Sequence, residues 1–100
     1  MGKLESEFQH HIINRLRALV GENGYVLNLD GAYIQGFPDI LVLCKGRWAA
    51  LECKRNATSR EQPNQRYYVE MLNELSFASF IHPAIEDEVI NDLQQALRLR

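Results

Sequence analysis

The sequence predicts a single mixed α/β domain of the α+β type, a mixed sheet flanked by helices in the order αβββαβα. Three observations carry that expectation: an apolar stripe at helical spacing near the N-terminus, two apolar runs separated by Lys45-Gly46-Arg47, and a strand-like run between two further helical stripes. One hundred residues with 46% hydrophobic side chains suffice for one core and not for two, so residues 1–100 are expected to form one domain.

Leu4, Phe8, Ile12, Leu16 and Leu19 make the first stripe, and Gly21 and Gly24 end that helix. Tyr25 to Leu29 reads as the first strand; Asp30-Gly31 is a turn signal, and Ala32 to Phe37 leads toward the next run. Ile40–Cys44 and Trp48–Cys53 read as a hairpin. Ser59 to Pro63 is expected to open a second helix that continues through Leu75, followed by a strand at Phe77–Ile81. A last helix runs from Ile85 to Leu99, with Val89, Leu93 and Leu97 on its apolar face.

No apolar run is longer than Ile40–Cys44, and no charged leader precedes an apolar stretch, so neither a membrane span nor a secretory signal is expected. The expected location is cytoplasmic. Cys44 and Cys53 lack any CxxC partner and behave as small hydrophobes, while His10, His11 and His82 have no zinc-site spacing. The formal net charge of −2 conceals an asymmetry. Residues 45–66 carry Lys45, Arg47, Lys54, Arg55, Arg60 and Arg66 against Glu52 and Glu61, a net +4. Such a patch suits a polyanion bound through one face, although a basic run taken alone is usually a solvated surface.

The central pattern is "GFPDILVLCKGRWAALECKR", which places Asp39, Glu52 and Lys54 in otherwise apolar strands. Buried charge is costly unless it is paired or bound to a cation. If Lys45-Gly46 is a two-residue loop, Cys44 pairs with Arg47 and Asp39 lies opposite Glu52. Like charges so opposed are destabilising without compensation. Strand periodicity puts Glu52 and Lys54 on one face and turns Leu51 and Cys53 to the other. Oxygen ligands without sulfur or imidazole favour Mg2+, with Mn2+ as a substitute, over zinc. Glu5 falls on the core-facing arc of the first helix, whereas Glu7 falls nearly opposite. Gln9, one turn on, is placed to support Glu5 or to meet the sheet. Each residue also has a plain structural reading: Asp39 as a turn residue, Glu52 and Lys54 as polar positions of a half-exposed strand, Glu5 as a helix-dipole charge. Jointly, those readings leave the shared face unexplained.

Pro38-Asp39 followed by Glu52-Cys53-Lys54 resembles the PD-(D/E)XK nuclease signature, and "GFPDILVL", "WAALECKR" and "PNQRYYVEML" together resemble the VRR-NUC family. The likeness spans Glu5 to about Ile81. It implies a restriction-endonuclease-like PD-(D/E)XK core and a divalent metal held by Asp39 and Glu52, with Glu5 and the backbone carbonyl of Cys53 contributing. It further implies that Lys54 assists the attacking water and that Gln65, or alternatively Gln62, is the glutamine of the later motif. The sequence departs from the family pattern where a glycine is usual after that helix, having Asn73-Glu74-Leu75-Ser76. Stand-alone members of this size resemble phage or bacterial proteins that act as dimers on branched DNA, in the manner of Holliday junction resolvases.

The function expected on these grounds is a Mg2+-dependent, structure-selective DNA endonuclease. Arg55, Arg60 and Arg66 would hold flanking phosphates without reading bases. At least one of Tyr67 and Tyr68 belongs to the core by its helical spacing. One active site per chain, against two strands to cut symmetrically, predicts a homodimer whose interface is the last helix or an edge strand. The competing readings are a noncatalytic nucleic-acid-binding module and a sequence-specific restriction-type nuclease.

Overall fold

The computed structural model describes residues 3–29 and 34–99. Helix α1 (Lys3–Val20) leads through a single 3-10 turn into β1 (Gly24–Asn28), β2 (Ile40–Cys44) and β3 (Arg47–Cys53). Helix α2 (Gln65–Leu75), β4 (Phe77–Ile81) and α3 (Glu86–Leu97) complete the chain, giving the expected order αβββαβα. The Asp30-Gly31 turn signal, with Ala32 and Tyr33, lies outside the described residues. The strands form one sheet in the order β1-β2-β3-β4, antiparallel through β3 and parallel between β3 and β4. That parallel step requires a crossover, which α2 provides.

The hairpin has the register the two-residue loop dictates, with Cys44 opposite Arg47 and Ile40 opposite Leu51. Lys45 and Gly46 both adopt positive φ, 49° and 79°, the geometry that matches the right-handed twist of the flanking strands.

The sheet buries both faces unequally. Against one face, Ile12, Leu16 and Val20 of α1 and Ile90, Leu93 and Leu97 of α3 meet Val26, Ile40, Val42, Leu51, Cys53 and Ile81. Against the other, Val69 and Leu72 of α2 cover Ala50 and Ala78, with Leu41, Trp48, Tyr68 and Phe80 around them. Helix α2 packs on β3 and β4, and Tyr25, Leu27 and Leu43 on the β1–β2 half of the sheet are exposed. Leu4, read as part of the apolar stripe, is 60% exposed, because it lies in the first turn beyond the end of the sheet-covered segment.

Two elements begin later than the sequence predicts. Ser59 to Pro63 is not helical and α2 starts at Gln65. The Ser59 hydroxyl exchanges hydrogen bonds with Asn56: it accepts the Asn56 N–H at 3.0 Å and donates to Asn56 Oδ1 at 3.2 Å. Thr58 adds its N–H and hydroxyl to the same Oδ1, closing a side-chain turn that competes with helix. Pro83–Ile85 forms a 3-10 turn before α3 begins at Glu86. The turn after α2 forms without glycine: Ser76 has φ −155°, its N–H bonds the Leu72 carbonyl and its hydroxyl donates to the Trp48 carbonyl. Asn73 Oδ1 accepts the Ala78 N–H at 3.1 Å.

Gly36 fixes how α2 meets the sheet. It has φ +85°, and a Cβ there would lie 2.6 Å from the Pro63 carbonyl oxygen. Only glycine lets the segment before Asp39 approach the start of α2 so closely. Between the helices, Arg15 pairs with Glu86 at 2.5 Å and Asp87 at 2.8 Å, and His11 meets Glu86 at 2.7 Å. Among the described residues, no helix is long and apolar enough to cross a membrane.

Leu16 is fully buried, whereas Leu43 is 39% exposed. Leu16→Ala is expected to cost about 2–5 kcal/mol in urea denaturation, and Leu43→Ala about 1 kcal/mol or less. Comparable losses at the two positions would show that the uncovered sheet face packs as core.

Candidate active site

Asp39 stands one residue before β2, and extending the register from the Ile40–Leu51 pair sets it opposite Glu52. It is held from two sides: Leu29 N–H donates to its carbonyl at 2.7 Å, and Cys53 N–H donates to its Oδ2 at 3.0 Å. Strand alternation sends Leu51 and Cys53 into the main core and leaves Glu52 and Lys54 on the other side, as the spacing predicts. All three ionisable side chains are buried, Asp39 at 7% exposure, Glu52 at 3% and Lys54 at 6%.

Glu52 is the costliest of them. Among the described residues its Oε1 has no hydrogen-bond partner. Burial, then the neighbouring Asp39 carboxylate and a hydrogen bond with it, push the Glu52 pKa up to about 9; Lys54 opposes that rise and Glu5 adds to it. The same burial and the same three carboxylates push the Cys53 thiol up, which keeps it protonated and inert.

Lys54 is oriented by its neighbours. Its N–H continues the parallel pairing to the Ile81 carbonyl at 2.8 Å. Its Nζ donates to the Arg60 carbonyl at 3.0 Å and to Gln65 Oε1 at 2.6 Å. Gln65 Oε1 also accepts the Gln62 N–H at 2.7 Å. The two candidate glutamines therefore separate: Gln65 reaches the lysine, and Gln62 lines the cleft outside.

That cleft, about 240 Å3, is bounded by Glu5, Arg55, Ser59, Arg60 and Gln62. Glu5 is half-buried at its edge, near enough to act on Glu52 electrostatically. Arg55 and Arg60 are exposed around it. Arg66 is committed elsewhere: its Nε donates to Glu61 at 3.0 Å, a second bond joins the same carboxylate, Glu70 lies 3.7 Å away, and the guanidinium sits 5.2 Å from the Phe80 ring centre. Tyr68 packs on Phe37, and Tyr67 is exposed. Gln9 meets the sheet, donating to Asn28 Oδ1 at 3.0 Å.

The oxygens that could hold a cation here are those of the Asp39 and Glu52 carboxylates and the Cys53 carbonyl, with Glu5 at the rim. Among the described residues, no three His, Cys, Asp or Glu side chains form a ready metal-binding group. A buried carboxylate oxygen without a partner, beside a second carboxylate, nevertheless fits a hard cation. Sequence reasoning did not anticipate the Arg60 carbonyl as the acceptor of Lys54, since a main-chain oxygen has no side-chain signature. It also missed Ser59 as a cleft residue, because Ser59 to Pro63 read as the start of the second helix.

Because folding raises the Glu52 pKa, its protonated form is the one the fold favours. That stability is complete below the ordinary carboxylate range and is lost as pH rises toward about 9. In chelator, the urea midpoint is expected to fall from about pH 5 to about pH 9, and Glu52→Gln to flatten that slope. A profile unchanged by the substitution would remove Glu52 as its cause.

No protein-family model matches the sequence, and no curated protein does. A solved structure described as a VRR_NUC domain protein matches with a TM-score of 0.70 at 22% sequence identity, covering 99% of this chain and 92% of that one. The chain accordingly has the fold of the VRR_NUC domain protein over almost its whole length.

Proposed function

We propose that this chain is a metal-dependent, structure-selective endonuclease that hydrolyses phosphodiester bonds in DNA, acting on branched forms such as Holliday junctions. The observation that carries this reading is the buried pair of opposed carboxylates, one with an oxygen left unpartnered, beside a lysine fixed by Gln65. Asp39 and Glu52 would hold Mg2+ or Mn2+ with the Cys53 carbonyl, and Glu5 would join from the rim. When bound, such a cation supplies a nucleophile near neutral pH and compensates charge on the phosphate.

The chain's own residues then have defined tasks. Lys54 Nζ, with two of its three donor directions taken by Arg60 and Gln65, keeps one to position a water or to neutralise a phosphate oxygen. Arg55 and Arg60 hold the phosphates on either side. Arg66 can join them only by leaving Glu61. These contacts are to backbone, so sequence preference is low.

A homodimer follows from the need to cut two strands. Its interface is not the last helix, because Val89, Ile90, Leu93 and Leu97 are buried in the chain's own core. Of the two edge strands, β1 and β4, β1 with Tyr25 and Leu27 exposed is the better fit to that role.

The test is nicking of four-way junction, flapped, single-stranded and linear DNA in Mg2+. Asp39→Ala is expected to abolish it, Lys54→Ala to slow it by about 10²–10⁴-fold, and Gln65→Ala by about 10²-fold through misplacement of the lysine. Binding without cleavage in Mg2+ or Mn2+ would favour a noncatalytic module. Cutting of linear duplex at fixed positions would favour a restriction-type enzyme.

A further inference from the structure

The linear basic window does not form one patch. Lys54, Arg55 and Arg60 lie at the Asp39 end of the sheet, whereas Lys45 and Arg47 lie at the hairpin end, where Arg98 joins them from the end of α3. The three cations line a cleft of about 370 Å3 with Asn23, Leu19, Cys44, Leu97 and Leu99. Among the described residues no acidic side chain lines it; Glu22 lines a neighbouring cleft that shares Lys45 and Arg47 with it. Among the described residues none of the three has an ion pair, in contrast to Arg15 and Arg66, which are held by carboxylates.

The backbone at two of these positions sharpens the point. Lys45 has φ 49° as the first residue of the hairpin turn, and Arg98 has φ 57° as it closes the end of α3. Both are left-handed positions where glycine or asparagine is the favoured residue. The chain therefore accepts unfavourable backbone choices at two separate sites, and both place a cation at the same cleft.

From this convergence we propose that the Lys45–Arg47–Arg98 cleft is a second nucleic-acid contact, holding the phosphodiester backbone of the DNA bound at the Asp39 end. The inference rests on the nuclease reading for the identity of its ligand. Arg47 and Glu52 lie five residues apart on β3, about 17 Å along the strand, and their side chains alternate to opposite faces. A backbone that touches both cation groups therefore passes around the sheet and spans at least about five stacked nucleotides, and the distal group reads no bases.

The experiment measures binding of labelled four-way junction and linear duplex by fluorescence anisotropy across a salt series. It is done in chelator, in an Asp39→Ala background, with and without Lys45→Asn, Arg47→Gln and Arg98→Asn. The triple variant is expected to bind at least about tenfold more weakly at ~0.1 M salt and to lower the slope of log affinity against log salt by about 2–3. Lys45→Asn and Arg98→Asn should leave the melting temperature equal or higher, since asparagine tolerates positive φ better; a merely structural role would lower it. Affinity and slope unchanged in the triple variant would overturn the proposal. So would tight binding of inorganic pyrophosphate that the variant loses while its duplex affinity stays intact, which would indicate a small-anion site. The two readings fail separately: Mg2+-dependent cleavage together with an unmoved salt slope sinks only the distal contact, whereas a reduced slope in a protein that cuts no DNA sinks only the nuclease.

Discussion

Everything at the Asp39 end of this fold depends on one electrostatic conflict, two carboxylates set opposite each other in an antiparallel register and both shut away from water. Opposed like charges on a strand pair are unfavourable, and burial removes the screening that would soften them. The surroundings relieve the conflict in part. Cys53 N–H binds one Asp39 oxygen, and Lys54 opposes the rise that burial and Asp39 impose on the Glu52 pKa. A carboxylate pair that favours a bound proton in this way would also favour a bound cation in its place.

The rest of the molecule can be understood as what keeps that conflict in position. Leu51 and Cys53, on the opposite side of β3 from Glu52 and Lys54, are locked into the main core, so the strand cannot rotate to release the charges into solvent. The contact of Gly36 with Pro63 brings the start of α2 toward the segment preceding Asp39, and so carries Gln65 to Lys54. A VRR_NUC domain protein shares this fold over almost the whole chain.

Much of this was legible in the sequence because it follows from short-range rules. A two-residue Lys-Gly loop fixes the hairpin register, and the register alone brings Asp39 to Glu52. Helical spacing placed Glu5 on the inward arc, where it is half-buried, and of the two glutamines the resemblance offered it is Gln65 that bonds Lys54. What could not be read were choices decided by partners distant in sequence or by the main chain. Ser59 has the identity of a helix cap, yet Asn56 captures its hydroxyl. Arg66 looked like a free cation until Glu61 and Glu70 were folded against it. The basic window appeared continuous because sequence order ignores that β3 spans the sheet and carries its two ends apart.

The parallel pairing of β4 with β3 also has a temporal side. Lys54 N–H bonds the Ile81 carbonyl, and Lys54 Nζ depends on a helix that must first cross over. Without β4, the strand that carries Lys54 has no partner along its outer edge. Non-local closure of this kind comes late in folding. The outer side of the candidate site is therefore among the last parts of the sheet to be completed.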